Sequence, residues 1–137
     1  GAMNSIFELG SAIGSPKVPK SMEFYNKYKQ NYGKALQAGH GPAPAYESVY
    51  ILAEAIERAG SLDPDAIVAE LEKTDRTGVM GRVKYDEGHQ AIFGSNPQET
   101  AVGTVFQWTE DGKRKIVFPE SIAEAKIQLP PGLKSLK

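Results

Sequence analysis

Three stretches between residues 21 and 73 carry helical signatures, and the rest of the chain encodes little strand to cover them. An amphipathic helix must bury its apolar stripe against another layer. That imbalance is the strongest constraint on what the chain can fold into. Residues 21–33 place Phe24, Tyr25, Tyr28 and Tyr32 at roughly helical spacing, with Ser21 suited to cap the helix and Gly33 to end it. Residues 45–60 predict a helix whose apolar face is Ala45, Val49, Leu52, Ala53, Ile56 and Ala59. Glu47, Glu54, Glu57 and Arg58 fall largely elsewhere; Pro44 suits an early helical position and Gly60 a stop. The third helix has Asp63 as N-cap and Pro64 as first residue, buries Ile67, Val68 and Leu71, and ends near Lys73 and Thr74.

Strand signals are few. Arg82-Val83-Lys84-Tyr85 alternates. Val102, Val105, Phe106 and Trp108 predict one arm of a hairpin and Lys115 to Phe118 the other, reversed at Glu110-Asp111-Gly112, before Pro119 interrupts. Residues 75–81, with Gly78 and Gly81, read as a turn. Gly1-Ala2-Met3 reads as a cleavage scar, and residues 4–20, with Gly10, Gly14, Pro16 and Pro19, as an irregular arm. Residues 21–119 form the expected folded body, and residues 120–137 a tail with a brief helical turn. A chain of 137 residues has room for one modest domain or for part of a larger one.

Composition removes several classes of chemistry. Without cysteine there is no disulfide, thiolate nucleophile or cysteine-based metal site. Sixteen Lys and Arg against 17 Asp and Glu give a net charge of −1, so nothing draws the chain to nucleic acid. The aromatics interleaved with Lys27, Lys29 and Lys34 therefore read as a core-facing stripe, not a base-stacking surface. No run approaches the roughly 18 apolar residues of a membrane span. The glycines lack the strand–loop–helix context of a phosphate-binding loop. His40 and His89 are far apart, and no metal-ligand pattern surrounds either. Ser48 lies inside a helix, and Glu99 and Asp111 are carboxylates of the sort any soluble domain carries. The expectation is no catalytic residue, no metal and no cofactor.

The connector from Gly39 to Pro44 is the segment most suited to touch a ligand. Its glycines leave backbone groups accessible, and the helix that follows has N–H groups able to receive a carboxylate. Tyr46 sits in the first helical turn; the alternative is that Gly41 and Pro42 merely shape a loop and Tyr46 is core.

Four segments in order carry a resemblance: Phe24, Tyr28 and Tyr32-Gly33; Tyr46 through Asp63; Thr77-Gly78-Val79-Met80-Gly81-Arg82-Val83-Lys84-Tyr85-Asp86; and Phe106 through Lys113. Together, over roughly residues 20–119, they resemble the type I periplasmic solute-binding proteins of the branched-chain amino-acid type, which feed ABC importers. The resemblance implies an α/β fold: part of a Rossmann-like lobe with three helices and a few short strands, including a C-terminal hairpin. It implies that the chain corresponds to the C-terminal third or so of a two-lobed protein. In the family, a residue just before the Tyr-containing helix lines the cleft and is often aromatic. Here that position falls near Gly41, between His40 and Pro42, which argues against assuming a leucine or valine ligand. His40, Gly41, Pro42 and Tyr46 are the ligand-binding residues carried over.

The expected function is capture of a small polar solute, such as an amino acid, amide or small carboxylate, without chemistry, in the periplasm or outside the cell. The expected partners are that small-molecule ligand and, for the full-length protein, the membrane permease of an ABC importer. A homo-oligomer or domain-swapped dimer is expected of the chain alone, since its helices lack a sheet to cover them. The alternatives are a ligand-sensing regulatory or receptor domain of the same fold, or a small structural or interaction domain.

Overall fold

A computed structural model describes residues 5–11, 14–36, 40–130 and 132–133. The elements run β1 (Phe7–Ser11), α1 (Pro19–Tyr32), α2 (Pro42–Ala59), α3 (Pro64–Leu71), β2 (Asp75–Gly78), β3 (Gly81–Lys84), β4 (Phe93–Gly94), β5 (Ala101–Trp108), β6 (Arg114–Phe118) and a 3₁₀ turn at Glu120–Ile122. The α/β class, the three helices and the C-terminal hairpin agree with the sequence reading. Among the described residues the sheet is larger than that reading: six strands, all reached through β5.

Strand β5 is long enough to serve two sets of neighbours. Its start meets β3 at Ala101↔Gly81 and runs parallel to β4; its later half lies antiparallel to both β1 and β6. Its inner face puts Val102 and Phe106 into a core with Val18, Ile116 and Ile122. Ile51 of α2 packs with Val83 and Ala101, and Leu71 of α3 joins them. A third cluster, Leu36, Ala43 and Val79, is covered by Phe24, Tyr25, Tyr28 and Tyr46.

Helix ends follow the chain's punctuation. Gly33 (φ 66°) and Gly60 (φ 57°) adopt the left-handed conformation that stops α1 and α2, each returning its N–H to the carbonyl four residues back. The Asp63 carboxylate accepts the Ala66 N–H at 3.0 Å. Asp63→Ala is expected to cost about 1 kcal/mol, read as a lower urea midpoint with unchanged slope. Ser21 does not cap α1: Val18 is its N-cap, and the buried Ser21 hydroxyl accepts the Gly14 N–H at 3.0 Å instead.

Three expectations are corrected. The arm at residues 4–20 contains β1, because β5 offers its Phe7–Ser11 segment an antiparallel partner. The turn at residues 75–81 contains β2, which pairs with β3 from Asp75↔Lys84 to Gly78↔Gly81. Arg82 binds the Asp75 carboxylate through two nitrogens at 2.6 and 2.7 Å, and this pairing holds the Asp75 carboxyl below its usual range. Most consequential, α2 presents a different face. Its buried residues are Ala43, Glu47, Ile51 and Ala55, whereas Val49 and Leu52 are 67% and 46% exposed. At about 100° per residue the expected stripe lies opposite Glu47.

The hairpin turn holds one strongly perturbed acid. The Thr109 hydroxyl donates to the Asp111 carboxylate at 2.5 Å, and Lys113 lies 3.0 Å away. First the hydroxyl, then Lys113, lower the Asp111 pKa from 3.8 to about 2. A depressed carboxyl stabilises the folded state above its unfolded pKa and loses that contribution as pH falls towards the folded value. The hairpin is therefore expected to weaken between about pH 4 and pH 2. Carboxyl NMR titration should give the midpoint near 2 for Asp111 and a higher one in Thr109→Val, still below the usual carboxylate range because Lys113 remains.

Candidate functional site

Helices α1 and α2 meet through a ladder of rings. Along α1, Tyr32, Tyr28 and Phe24 recur every four residues on one side; α2 continues with Tyr46 and Tyr50. Ring centroids are 4.7 Å apart for Tyr28–Tyr32, 6.5 Å for Phe24–Tyr28, 4.6 Å for Phe24–Tyr46 and 5.0 Å for Tyr46–Tyr50. The Arg76 guanidinium ends the ladder, 5.0 Å from the Tyr50 ring centre.

Two concavities open along this seam. The first, about 180 Å³, has Phe24, Tyr46 and Tyr50 as walls, Glu47, Arg76 and Gly78 below, and Lys20, Glu23 and Lys27 among its lining. The second, about 270 Å³, is lined by Tyr28, Asn31, Tyr32 and Pro42 and shares Phe24, Lys27 and Tyr46 with the first. Tyr46 thus stands between them.

The floor is charged but internally matched. The buried Glu47 carboxylate accepts from Arg76 Nε at 2.6 Å and from the Val79 N–H at 2.5 Å. Arg76 Nη1 donates to Glu54 at 2.6 Å. Each oxygen of this carboxylate thus has a partner inside the protein, and its charge is matched by Arg76. Gly78 makes the arrangement fit, since a Cβ there would stand 1.9 Å from both Glu47 carboxylate oxygens.

The rim is less committed. Lys20 Nζ donates to the Thr77 carbonyl at 2.5 Å, whereas Glu23 and Lys27 have no ion pair among the described residues. The Tyr46 hydroxyl lies 3.2 Å from that of Tyr50 as its donor. That hydrogen bond first, and burial second, raise the Tyr46 pKa, so its phenol stays protonated at ordinary pH. The Tyr50 proton is left to be offered outward.

Of the sequence-derived candidates, Pro42 and Tyr46 line this seam. His40 and Gly41 are exposed ahead of α2 and line neither concavity. Gly39 lies outside the described residues. The expected anion-receiving helix start is also narrower than the sequence implied. Helix α2 begins at Pro42, three residues earlier than expected, so Pro42 and Pro44 both occupy its first turn without an N–H. Ala45 returns its own N–H to the Gly41 carbonyl at 3.2 Å, leaving Ala43 as the donor of that turn. Sequence reasoning missed Lys27, Glu23, Tyr50 and Arg76. The aromatic period of α1 was a signal, but it read as core, and the exposed Tyr32 at 65% shows that the stripe runs out of the core into solvent.

Among the described residues no other cluster suggests chemistry. The Ser48 hydroxyl donates to the Pro44 carbonyl at 2.8 Å, one turn back in its own helix. His89 Nδ1 is 3.3 Å from Glu72, beside a separate apolar concavity lined by Val68, Leu71 and Tyr85. Among the described residues no group of three His, Asp or Glu could hold a metal ion, and no helix is long and apolar enough to cross a membrane.

Comparison with known proteins places the chain in context. The family model described as periplasmic binding protein matches residues 3–113. A Leu/Ile/Val-binding protein homolog from Brucella suis is 28% identical over 123 residues, 87% of this chain and 29% of the relative. Another, from Brucella abortus, is 30% identical over 118 residues, 85% of this chain and 28% of the relative. The chain therefore spans under a third of the length of these relatives. Among solved structures, a putative branched-chain amino acid ABC transporter from Silicibacter pomeroyi superposes with TM-score 0.76 at 16% identity, covering 94% of this chain and 35% of that one. A leucine binding protein from Thermotoga maritima gives 0.62 at 27% identity, covering 84% and 30%. The first of these two speaks for the fold alone.

Proposed function

Because the chain belongs to the periplasmic binding protein family, we propose that it forms part of the solute-binding component of an ABC-type importer, capturing a small polar solute without chemistry. The observation that carries this reading is the aromatic seam at Tyr46, with Lys27 and Glu23 beside it, neither in an ion pair among the described residues. An ammonium and a carboxylate near one aromatic-walled groove complement the two charges of an amino acid, with the Tyr50 hydroxyl as a further donor. A small carboxylate or amide would use Lys27 and the tyrosines alone. The likeness to branched-chain amino-acid proteins supports the same class of solute. The partner that receives the solute is the importer's membrane permease, and the compartment is the periplasm or the cell exterior. The exposed Val49 and Leu52 of α2 support self-association of the chain when it stands alone.

The test uses the longest polypeptide that carries this chain. Thermal-shift measurement against amino acids, amides and small carboxylates should raise the melting temperature for one of these classes, and the ligand should be recovered chemically unchanged. A ligand consumed on incubation, or stabilisation only by nucleic acid or phosphosugars, would contradict the reading.

A further inference from the structure

The two concavities of the Tyr46 seam differ in charge. Glu23 lines the first and not the second. The second has no acid in its lining, and its walls are the tyrosine rings of α1 and α2 with Pro42 and Asn31. Lys27 belongs to both. A zwitterion therefore has one matched way to lie along the seam. Its carboxylate meets Lys27, which the concavities share, and its ammonium meets Glu23 in the first. The side chain on its α-carbon is left to enter the second.

Size and wall chemistry decide what that side chain is. The second concavity holds about 270 Å³, and roughly 150 Å³ is enough to take a benzene ring. A methyl or isopropyl group would leave much of the space to water, whereas a six-membered ring fills more of it. The walls favour the ring as well, because aromatic faces attract a tilted or offset partner beyond the area they bury. Tyr28 and Tyr32 already stand as such a pair, 4.7 Å apart and tilted by 40°, and Tyr32 keeps 65% of its surface open. A polypeptide segment laid over the seam would bury Lys27 and Glu23, neither in an ion pair among the described residues. Burying either charge without a partner is costly. A solute that carries both opposite charges meets that cost with its own groups.

We propose that the solute is an amino acid with an aromatic side chain, its ring in the concavity of Tyr28, Tyr32 and Pro42 and its ammonium at Glu23. This rests on the solute-capture reading above and narrows it. The Brucella relatives are named Leu/Ile/Val-binding protein homologs, and an aromatic solute sets this chain apart from that name.

The experiment is isothermal titration of the longest polypeptide that carries this chain with leucine, phenylalanine and 3-phenylpropionate, which keeps the ring and the carboxylate but has no ammonium. Phenylalanine should bind about tenfold or more tighter than leucine. Tyr32→Leu, at an exposed position where folding is not at stake, should shrink that ratio to about threefold or less. Glu23→Gln should weaken phenylalanine about tenfold more than 3-phenylpropionate. Leucine bound as tightly as phenylalanine, with both lost in Tyr46→Ala, overturns the aromatic assignment and leaves the solute-capture reading standing. A preference for phenylalanine that survives Tyr32→Leu puts the ring elsewhere and overturns the assignment too. If no amino acid or carboxylate binds at all, the reading falls together with the inference.

Discussion

Gly78→Ala is expected to destabilise the chain by about 3–5 kcal/mol, the cost of breaking a buried ion pair. The reason is spatial. The added methyl would stand 1.9 Å from both carboxylate oxygens of Glu47. A carboxylate at the end of a flexible side chain can often swing aside, but this one is 2% exposed and bound to Arg76 and to the Val79 N–H. Moving it strips the guanidinium of its buried partner and leaves the Val79 N–H without an acceptor. A loss of that size is a large share of the roughly 5–15 kcal/mol that holds a domain together. Gly41→Ala is the control. Its φ is −70° and nothing lies within 4 Å of the added Cβ, so the change should be about 1 kcal/mol or less. Urea titration of both variants checks the pair. Equal midpoints would mean that the Glu47 carboxylate is not held where the structure places it.

Arg76→Ala is expected to cost a similar amount, about 3–5 kcal/mol, because it leaves the Glu47 carboxylate buried with only the Val79 N–H for company. Glu54→Ala removes the other carboxylate that Arg76 binds, but Glu54 is 40% exposed, and about 0–1 kcal/mol is expected. The combination Glu47→Gln with Arg76→Met should lose less than Arg76→Ala alone. The amide oxygen still accepts the Val79 N–H, the Met side chain fills much of the space, and the carboxylate left without a partner is the half-exposed Glu54, not a buried one. Denaturation midpoints of the three variants test the order. If Arg76→Ala proved as mild as Glu54→Ala, the anchoring of α2 to the β2–β3 turn through this pair would be wrong.

The same ion pair explains what the sequence did and did not reveal. Helix signals are local, so Asp63 as a cap and Gly33 and Gly60 as stops were legible, as was the Asp111-Gly112 reversal between β5 and β6. The buried face of α2 was not. Hydrophobic patterning assigns a glutamate to water, and the arginine that neutralises Glu47 lies 29 residues further on. Strand β2 was hidden for a related reason: its residues Asp75, Arg76 and Thr77 are polar, and they stay in the sheet through ion pairs more than through apolar burial. Strand β1 was obscured by Gly10 and Gly14 and by its dependence on β5, almost a hundred residues away. At the groove, Pro42 and Tyr46 could be reached from the helix start, but the wall from α1 and the floor from β2 come from segments on either side of it.

The claim that most needs testing is that the Tyr46 seam holds the solute. Isothermal titration with the solute found by thermal shift, on the polypeptide that carries this chain, compares the native residues with Tyr46→Ala and Lys27→Ala. Each loses a ring contact or a charge-assisted hydrogen bond of about 1.5–3 kcal/mol, so affinity should fall about tenfold or more while circular dichroism stays native. Affinity unchanged in both variants, with the solute still bound, would place the binding site elsewhere and contradict the account.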